Sequence, residues 1–190
     1  MSVHRLCVFC GASMPADPRF REGATLLGTS IGKAGLELVY GGGRVGLMGI
    51  VADAALAAGA PVIGVIPHDL NDREIGHPGL TRLVVVDDMQ DRKRQMFALS
   101  DAVAVLPGGL GTLDEAFEAL TLRQLHYNNK PIVLVDIDGF WAPLVALIDH
   151  LIAQGFVMPD ARALFRVVGR IEDVVPACFP EGAGSLAATP

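Results

Sequence analysis

The sequence predicts an α/β fold with a single domain, in which helices cover both faces of a doubly wound, parallel, Rossmann-like sheet. Short, continuously apolar runs rich in β-branched residues alternate with longer segments of helical spacing. Glycine-rich turns follow several of these runs. The chain has 190 residues, of which 51% are apolar, so it can bury one substantial core. We expect the domain to span residues 1–180, followed by a disordered tail over 181–190.

The predicted elements follow from the bounds of the apolar runs. Apolar residues recur three or four positions apart in the helical segments, as in Ala116, Ala119 and Leu120. In chain order we predict a strand near Arg5–Cys10, a helix near Pro18–Ala34, a strand near Leu36–Tyr40, a helix near Leu47–Ala58 and a strand near Pro61–Ile66. A strand near Leu83–Val86, a helix near Met89–Leu99, a strand near Ala102–Leu106, a helix near Thr112–His126, a strand near Pro131–Val135, a helix near Phe140–Gln154 and a possible short strand near Phe165–Val168 follow.

The composition argues against several kinds of protein. A net charge of −6 gives no electrostatic reason to expect nucleic acid or an anionic membrane as a partner. No apolar run approaches the ~20 residues of a membrane span, and Leu6–Phe9 is a strand-like run rather than a signal peptide. Three cysteines, an odd number, fit a reducing cytoplasm better than a disulfide framework. We expect a cytoplasmic protein with no nucleic acid or membrane partner.

Cysteine and histidine spacing gives no reason to expect a metal or a cofactor. Cys7 and Cys10 form a C-x-x-C, but they lie within a predicted strand and no second ligand pair accompanies them. Two buried thiols explain that spacing. The five histidines are scattered and form no H-x-x-x-H pair.

Pro107-Gly-Gly-Leu-Gly-Thr-Leu-Asp-Glu115 is the most informative segment of the chain. It follows the apolar run Ala102–Leu106 and leads into a helical segment, so a strand, a glycine turn and a helix follow one another. Glycines let the backbone approach a ligand closely, and the free N–H groups of a first helical turn bind anions. The segment predicts a phosphate cradle, beside which the carboxylate of Glu115 is unexpected and suggests chemistry.

Three glycine turns follow three predicted strands, at the sheet edge where such folds bind ligands. They are Gly11–Ser13, Gly41–Gly46 and Pro107–Gly111. The second matches G-x-G-x-x-G, but a dinucleotide site also needs an acid at the end of the next strand, which here ends in Val65-Ile66-Pro67-His68. A Walker A loop is absent too, because Gly32-Lys33 lacks the required glycine and the following Ser or Thr. The turns predict a nucleotide-sized ligand with a phosphate.

The segment Met89–Met96 has two interpretations. As an ordinary helix start, it is capped by Asp88, Asp91 complements the helix dipole, and the basic residues lie in water. Alternatively, Arg92 and Met96, four positions apart on one helical face, line a cleft together. An arginine there is suited to bidentate contact with phosphate or carboxylate.

Glu115 also has two interpretations. Thr112-Leu-Asp-Glu115 has the spacing of a capping box, in which Thr112 and Glu115 satisfy helix-end N–H groups reciprocally. The alternative is a catalytic carboxylate beside the phosphate cradle. Spacing alone leaves both open. Asp114 is expected to face solvent or to complement the dipole.

Four motifs follow one another over about residues 5–175. They are Val8-Phe-Cys-Gly-Ala-Ser13, Tyr40-Gly-Gly-Gly-x-x-Gly-Leu-Met-Gly49, Met89-x-x-Arg-Lys-x-x-Met96 and Pro107-Gly-Gly-x-Gly-Thr-x-x-Glu115. In this order and spacing they resemble the LONELY GUY family of cytokinin riboside 5′-monophosphate phosphoribohydrolases, which are often mislabelled lysine decarboxylases.

The resemblance implies a nucleotide-binding catalytic domain that hydrolyses N6-modified adenosine 5′-monophosphates to the free base and ribose 5-phosphate. It implies Arg92 and Glu115 as the catalytic pair and a homodimer whose sites borrow residues across the interface. The substrate contacts expected from it are Ser13, Gly42, Gly43, Glu74, Met89, Lys93, Pro107, Gly108, Gly109, Leu110, Gly111, Thr112, Leu113 and Thr121.

Departures from the family pattern bear on base or side-chain preference. Gln90 stands where a histidine is common, Asp91 where a glutamate is common, and Gln124–Pro131 lacks the usual glycine after leucine. Two alternatives stay open: a general nucleosidase for AMP or other purine mononucleotides, and a non-catalytic carrier of a nucleotide or of molybdenum cofactor. A lysine decarboxylase is not expected, since neither Lys33 nor Lys130 has a convincing setting for a pyridoxal phosphate Schiff base.

Overall fold

The computed structural model describes residues 4–72 and 76–180, and within them seven strands form one parallel sheet. The strands are β1 (Arg5–Phe9), β2 (Glu37–Tyr40), β3 (Val62–Pro67), β4 (Arg82–Val86), β5 (Ala102–Val105), β6 (Ile132–Val135) and β7 (Arg166–Val168). Their order in the sheet is β4-β3-β2-β1-β5-β6-β7.

Helices cover both faces of this sheet. They are α1 (Pro18–Lys33), α2 (Gly46–Ala57), α3 (His68–Asp72), α4 (Met89–Leu99), α5 (Leu110–Gln124), α6 (Ala142–Ala153) and α7 (Val174–Cys178), with 3₁₀ turns at Ile137–Gly139, Pro159–Ala163 and Ile171–Asp173. In β1, Leu6 and Val8 pack into the layer of α1, α2 and α7, whereas Cys7 and Phe9 pack into the layer of α4, α5 and α6. Because both faces are buried along β3, β2, β1, β5 and β6, these inner strands are mainly apolar rather than alternating, whereas the edge strands β4 and β7 are partly exposed.

Helix α1 lies very close to α2. A Cβ on Gly28 would lie 2.4 Å from the carbonyl oxygen of Val51, and one on Gly32 would lie 2.5 Å from Cβ of Ala58. The carboxylate of Asp17 caps the start of α1 by accepting the backbone N–H of Arg19 at 2.9 Å. The two glycines therefore let α1 pack closely against α2.

The structure confirms the predicted doubly wound parallel sheet, including the short last strand. Two five-residue helices, α3 and α7, were not predicted, because one turn is too short to show a helical period. The helix predicted near Thr112–His126 runs instead from Leu110 to Gln124, since Gly109 is extended at its N-cap and His126 has a φ of 60°. The proposed domain bounds reach residues 1–3 and the tail over 181–190, and Glu74 lies in residues 73–75; all of these lie outside the described residues.

The sheet order places one crevice at the centre of the molecule. From β1 the chain builds outward through β2 and β3 to β4, and then returns to β5 on the other side of β1. Phe9 of β1 and Val105 of β5 are partners in the register. The loops after these two strands diverge to opposite faces, which creates the switch point where doubly wound folds bind ligands.

Candidate active site

A cavity of about 540 Å³ opens at this switch point, within the size range of small-molecule sites. The loop after β1, the glycine turn after β2, helix α4 and the start of α5 line it. The predicted site residues in its lining are Ser13, Gly43, Arg92, Pro107, Gly108, Gly109, Leu110, Gly111, Thr112 and Glu115.

The glycine loop after β5 packs directly on the loop after β1. Gly11 N–H donates to the carbonyl of Pro107 at 3.1 Å, and Leu47 N–H donates to the carbonyl of Gly11 at 2.9 Å. A Cβ on Gly108 would lie 2.1 Å from Oγ1 of Thr112 and 2.8 Å from the nitrogen of Gly11. Only glycine permits this approach, which aims the free N–H groups of the first turn of α5 into the cavity.

The capping-box interpretation of Thr112 and Glu115 is wrong. Helix α5 begins at Leu110 with Gly109 as its N-cap, and no side chain caps it. Thr112 is therefore the third residue of the helix, and its side chain turns back onto Gly108. Glu115 lies one turn deeper, too far along the helix to reach the N-cap N–H, and it faces the cavity.

Arg92 is held by the carboxyl ends of two strands. Asp88 caps α4, as predicted, by accepting the N–H groups of Gln90 and Asp91, each at 2.8 Å. One turn on, the guanidinium of Arg92 donates to the carbonyl of Val65 at 3.2 Å and to that of Gly41 at 3.0 Å. Only 8% of Arg92 is exposed, so the expectation of basic residues in water fails for this residue. The alternative interpretation, a guanidinium lining a cleft with Met96, is the one observed.

Glu115 faces Arg92 across the floor of the cavity. One Oε lies 3.7 Å from Nη1 of Arg92, and 7% of the residue is exposed. Burial raises the pKa of Glu115 to about 7, and the charge of Arg92 offsets this only in part. A carboxyl whose pKa is raised toward neutral pH is suited to accept or deliver a proton.

Five predicted contacts lie outside the cavity lining. Gly42 turns with a φ of 75° behind Gly43, and Met89 places its sulfur 3.8 Å from Nη1 of Arg92. Thr121 donates its hydroxyl to the carbonyl of Phe117 on its own helix at 2.8 Å. Lys93 faces Asp114 and Glu118, and Leu113 is likewise absent from the lining. Leu113 nevertheless donates its backbone N–H to the carbonyl of Gly109, which lines the cavity, at 3.0 Å.

An aromatic wall at the cavity was not predicted. Phe20 of α1 and Phe140, which follows the first 3₁₀ turn, pack edge to face with ring centroids 5.5 Å apart. Phe140 also packs edge to face against Trp141 at 4.8 Å. The two rings come from positions 120 apart, and nothing in the local sequence pairs them. They add a large apolar surface to a site whose polar groups lie on α4 and α5.

The C-x-x-C cysteines are buried thiols on opposite faces of the sheet. Cys7 belongs to the layer of α4 and α5, and Cys10 to that of α1 and α2. Burial raises the pKa of each thiol. Among the described residues, no three His, Cys, Asp or Glu side chains are grouped so as to hold a metal. None of the described helices is long and apolar enough to cross a membrane.

The fold and the site define a class of protein: a Rossmann-like nucleotide-binding protein with a buried carboxylate beside an anion cradle. Comparison with known proteins identifies the family. The family described as "Possible lysine decarboxylase" matches residues 48–178. A cytokinin riboside 5′-monophosphate phosphoribohydrolase of Rhodococcoides fascians is 44% identical over 171 residues, which are 90% of this chain and 86% of that protein. One from Arabidopsis thaliana is 40% identical over 179 residues, covering 90% and 84%. The chain belongs to this family, the LONELY GUY phosphoribohydrolases.

Solved structures with the same fold are more distant in sequence. The molybdenum cofactor carrier protein of Chlamydomonas reinhardtii superposes with a TM-score of 0.72 at 22% identity, covering 93% of this chain and 96% of that one. A molybdenum cofactor binding protein of Rippkaea orientalis has a TM-score of 0.70 at 24% identity, covering 92% and 94%. At these identities the likeness concerns the fold alone.

Proposed function

We propose that this protein hydrolyses the N-glycosidic bond of N6-modified adenosine 5′-monophosphates, the cytokinin riboside 5′-monophosphates, to the free base and ribose 5-phosphate. The observation that carries the proposal is Glu115. This carboxylate is buried, has a pKa of about 7, and lies one helical turn inside an N-terminus suited to a phosphate. The names of the relatives in Rhodococcoides fascians and Arabidopsis thaliana state this activity for those proteins.

The proposed substrate orientation follows from the two ends of the cavity. The 5′-phosphate rests on the backbone N–H groups of Gly109–Thr112, joined by the Gly42–Gly43 turn and Ser13. The ribose then lies over Glu115, and the apolar part of the lining, including Phe20 and Phe140, takes the base and its N6 substituent.

The proposed mechanism uses Glu115 at the anomeric carbon. N-glycosidic bonds break through a transition state with positive charge on this carbon, which a nearby carboxylate stabilises. The bond to the base breaks as a water oxygen attaches to the same carbon. One proton of that water passes to Glu115, and the leaving base takes up a proton from Glu115 or from solvent. Arg92, anchored on two carbonyls, positions the carboxylate and the substrate.

The test is the release of ribose 5-phosphate from AMP and from isopentenyladenosine monophosphate, by the wild-type protein and by Glu115→Gln. Faster turnover of the prenylated nucleotide, lost in the variant, supports the proposal. Preference for AMP would assign a general purine mononucleotide nucleosidase instead. Binding of both nucleotides without any release would favour a carrier. Lysine decarboxylation has no support at this site, because none of the three lysines lines the cavity.

We also propose that the protein works as a homodimer in the cytoplasm, without nucleic acid partners. Exposed large apolar side chains at the ends of α5 and α6, among them Tyr127 and Phe156 (78% and 82% exposed), favour an interface between copies. Three free cysteines and the net charge of −6 support the other two statements. Light scattering after gel filtration measures the oligomeric state, and a monomer at working concentration would contradict the first statement.

A further inference from the structure

An ion-pair cluster centred on the buried side chain of Lys93 lies next to the Arg92–Glu115 pair. Lys93 follows Arg92 on α4, and Asp114 precedes Glu115 on α5. The ammonium of Lys93 lies 2.9 Å from Oδ2 of Asp114 and 2.6 Å from Oε2 of Glu118. One cation therefore joins two carboxylates of α5 to α4, directly beside the pair that the proposed reaction uses.

This cluster differs from an ordinary surface salt bridge. The side chain of Lys93 is only 6% exposed, against 72% for Arg94, which pairs with Asp91 on the same helix. Burial lowers the pKa of Lys93, but the ion pairs with Glu118 and Asp114 outweigh this and leave it raised. Lys93 stays charged. Its ammonium is buried whereas Asp114 and Glu118 are 61% and 31% exposed, so the cost falls on Lys93 if its partners are removed, because its charge is then uncompensated.

We propose that Lys93 is a positioning residue for the reaction: through Asp114 and Glu118 it holds α4 against α5 and sets the separation of Arg92 and Glu115. This inference rests on the proposed function. It replaces, for Lys93, the nucleotide contact that the sequence resemblance implied, since the ammonium pairs with Asp114 and Glu118 and Lys93 does not line the cavity.

The cluster also contributes to the charge around Glu115. Arg92 and Lys93 on α4 favour its ionised form, whereas Asp114 and Glu118 on its own helix oppose it. The charge of Glu115 in turn adds to the raised pKa values of two buried thiols, Cys7 on β1 and Cys10 just after it. Removing the charge of Lys93 leaves two carboxylates unopposed, so the pKa of Glu115 rises. Removing Glu118 has the opposite effect.

The experiment compares Lys93→Met, Lys93→Arg, Glu118→Gln and the double variant Lys93→Met/Glu118→Gln, with Arg94→Met as the matched control. We expect Lys93→Met to lower kcat near neutral pH by ~10- to 100-fold through misplacement of the pair, with KM changed by less than ~3-fold. In Lys93→Met, the acidic limb of the pH profile, where kcat falls as the pH is lowered, moves to higher pH. In Glu118→Gln the same limb moves to lower pH. Lys93→Arg, which keeps the positive charge, retains a kcat near that of the wild type. The double variant returns the acidic limb toward its wild-type pH, and Arg94→Met behaves as wild type.

Two results would overturn the inference. A rise in KM with an unmoved limb would show that Lys93 contacts the nucleotide, and wild-type behaviour of Lys93→Met would show that the cluster has no role. Should Lys93→Met not fold, the opposite limb shift in Glu118→Gln still tests the charge argument. NMR titration of the Glu115 carboxyl in each variant needs no turnover, so failure of the inference is distinguishable from failure of the proposed function.

Discussion

Glu115→Gln separates catalysis from stability more sharply than any other single change in this site. Glutamine has nearly the shape of glutamate but does not ionise. In a capping role, glutamine would replace glutamate with little loss of stability at any pH, since either side chain can accept a helix-end N–H. In the observed position, the ionised carboxylate is buried at a cost, and the variant should lose activity while gaining stability where wild-type Glu115 is charged.

The magnitude follows from the pKa of Glu115. This pKa is about 7 in the folded protein, against 4.5 for an exposed glutamate. Between these values the folded state binds more protons than the unfolded state, so wild-type stability falls as the pH rises from the lower pKa to the higher one. From about pH 5 to about pH 8, the free energy of unfolding should change by about 2 kcal/mol in favour of the variant. The comparison across pH cancels the packing difference between glutamate and glutamine.

The assay is urea unfolding of both proteins at the two pH values, alongside ribose 5-phosphate release. Glu22→Gln is the control, since this glutamate is exposed on α1. In Glu115→Gln we expect kcat to fall by ~10²–10⁴-fold, the usual scale for an acid–base group, and the acidic limb near pH 7 to vanish. Equal destabilisation at both pH values, or near-wild-type turnover, would refute the reasoning.

Three further predictions test the cradle, the arginine and the aromatic wall. Gly108→Ala should lower Tm and abolish the rise in Tm that inorganic phosphate gives, because the new Cβ would lie 2.1 Å from Oγ1 of Thr112. In the control Gly109→Ala, the new Cβ has nothing within 4 Å, so the Tm without ligand should equal that of the wild type. Gly41→Ala would place a Cβ 1.8 Å from Nη2 of Arg92, so we expect kcat to fall by more than ~10-fold, and a wild-type kcat would contradict the anchored arginine. Phe140→Ala should raise KM for isopentenyladenosine monophosphate by roughly 10-fold with little change in kcat, as expected for lost apolar contact, whereas equal KM values would exclude the wall from the base site.

Most of the fold was predictable because a buried strand can be recognised from the apolar pattern of its own sequence. A parallel strand buried on both faces is apolar at every position, and this pattern needs no knowledge of its neighbours. The start of α5 was not predictable in the same way. Gly109 and Gly111 flank Leu110, and glycine disfavours helices, so local propensity places the first turn two residues late. Tertiary contact between Gly108 and the loop after β1 decides the true start.

The burial of Arg92 was likewise not predictable from the local sequence. A run of charged residues after a capping aspartate is typical of an exposed helix, and Arg94, two positions after Arg92, is indeed exposed. The carbonyls that hold Arg92 belong to Val65 and Gly41, 27 and 51 positions earlier in the chain. The sheet that the helix covers determines which charged residue of such a run is buried. Only family motifs or a structure identify that residue.

The geometry of Arg92 explains why the pKa of Glu115 stays raised although a positive charge lies beside it. A bidentate pair with arginine would hold the pKa of a carboxylate well below its usual range and leave a weak base. Here the guanidinium already donates to two carbonyls, and its nearest approach to Glu115 is 3.7 Å, so burial outweighs the attraction. Those carbonyls stand at the ends of two parallel strands, and the close approach at Gly41 requires a glycine. The two carbonyls at the sheet edge therefore hold the guanidinium close to Glu115. At 3.7 Å, its attraction for the carboxylate is too weak to outweigh burial.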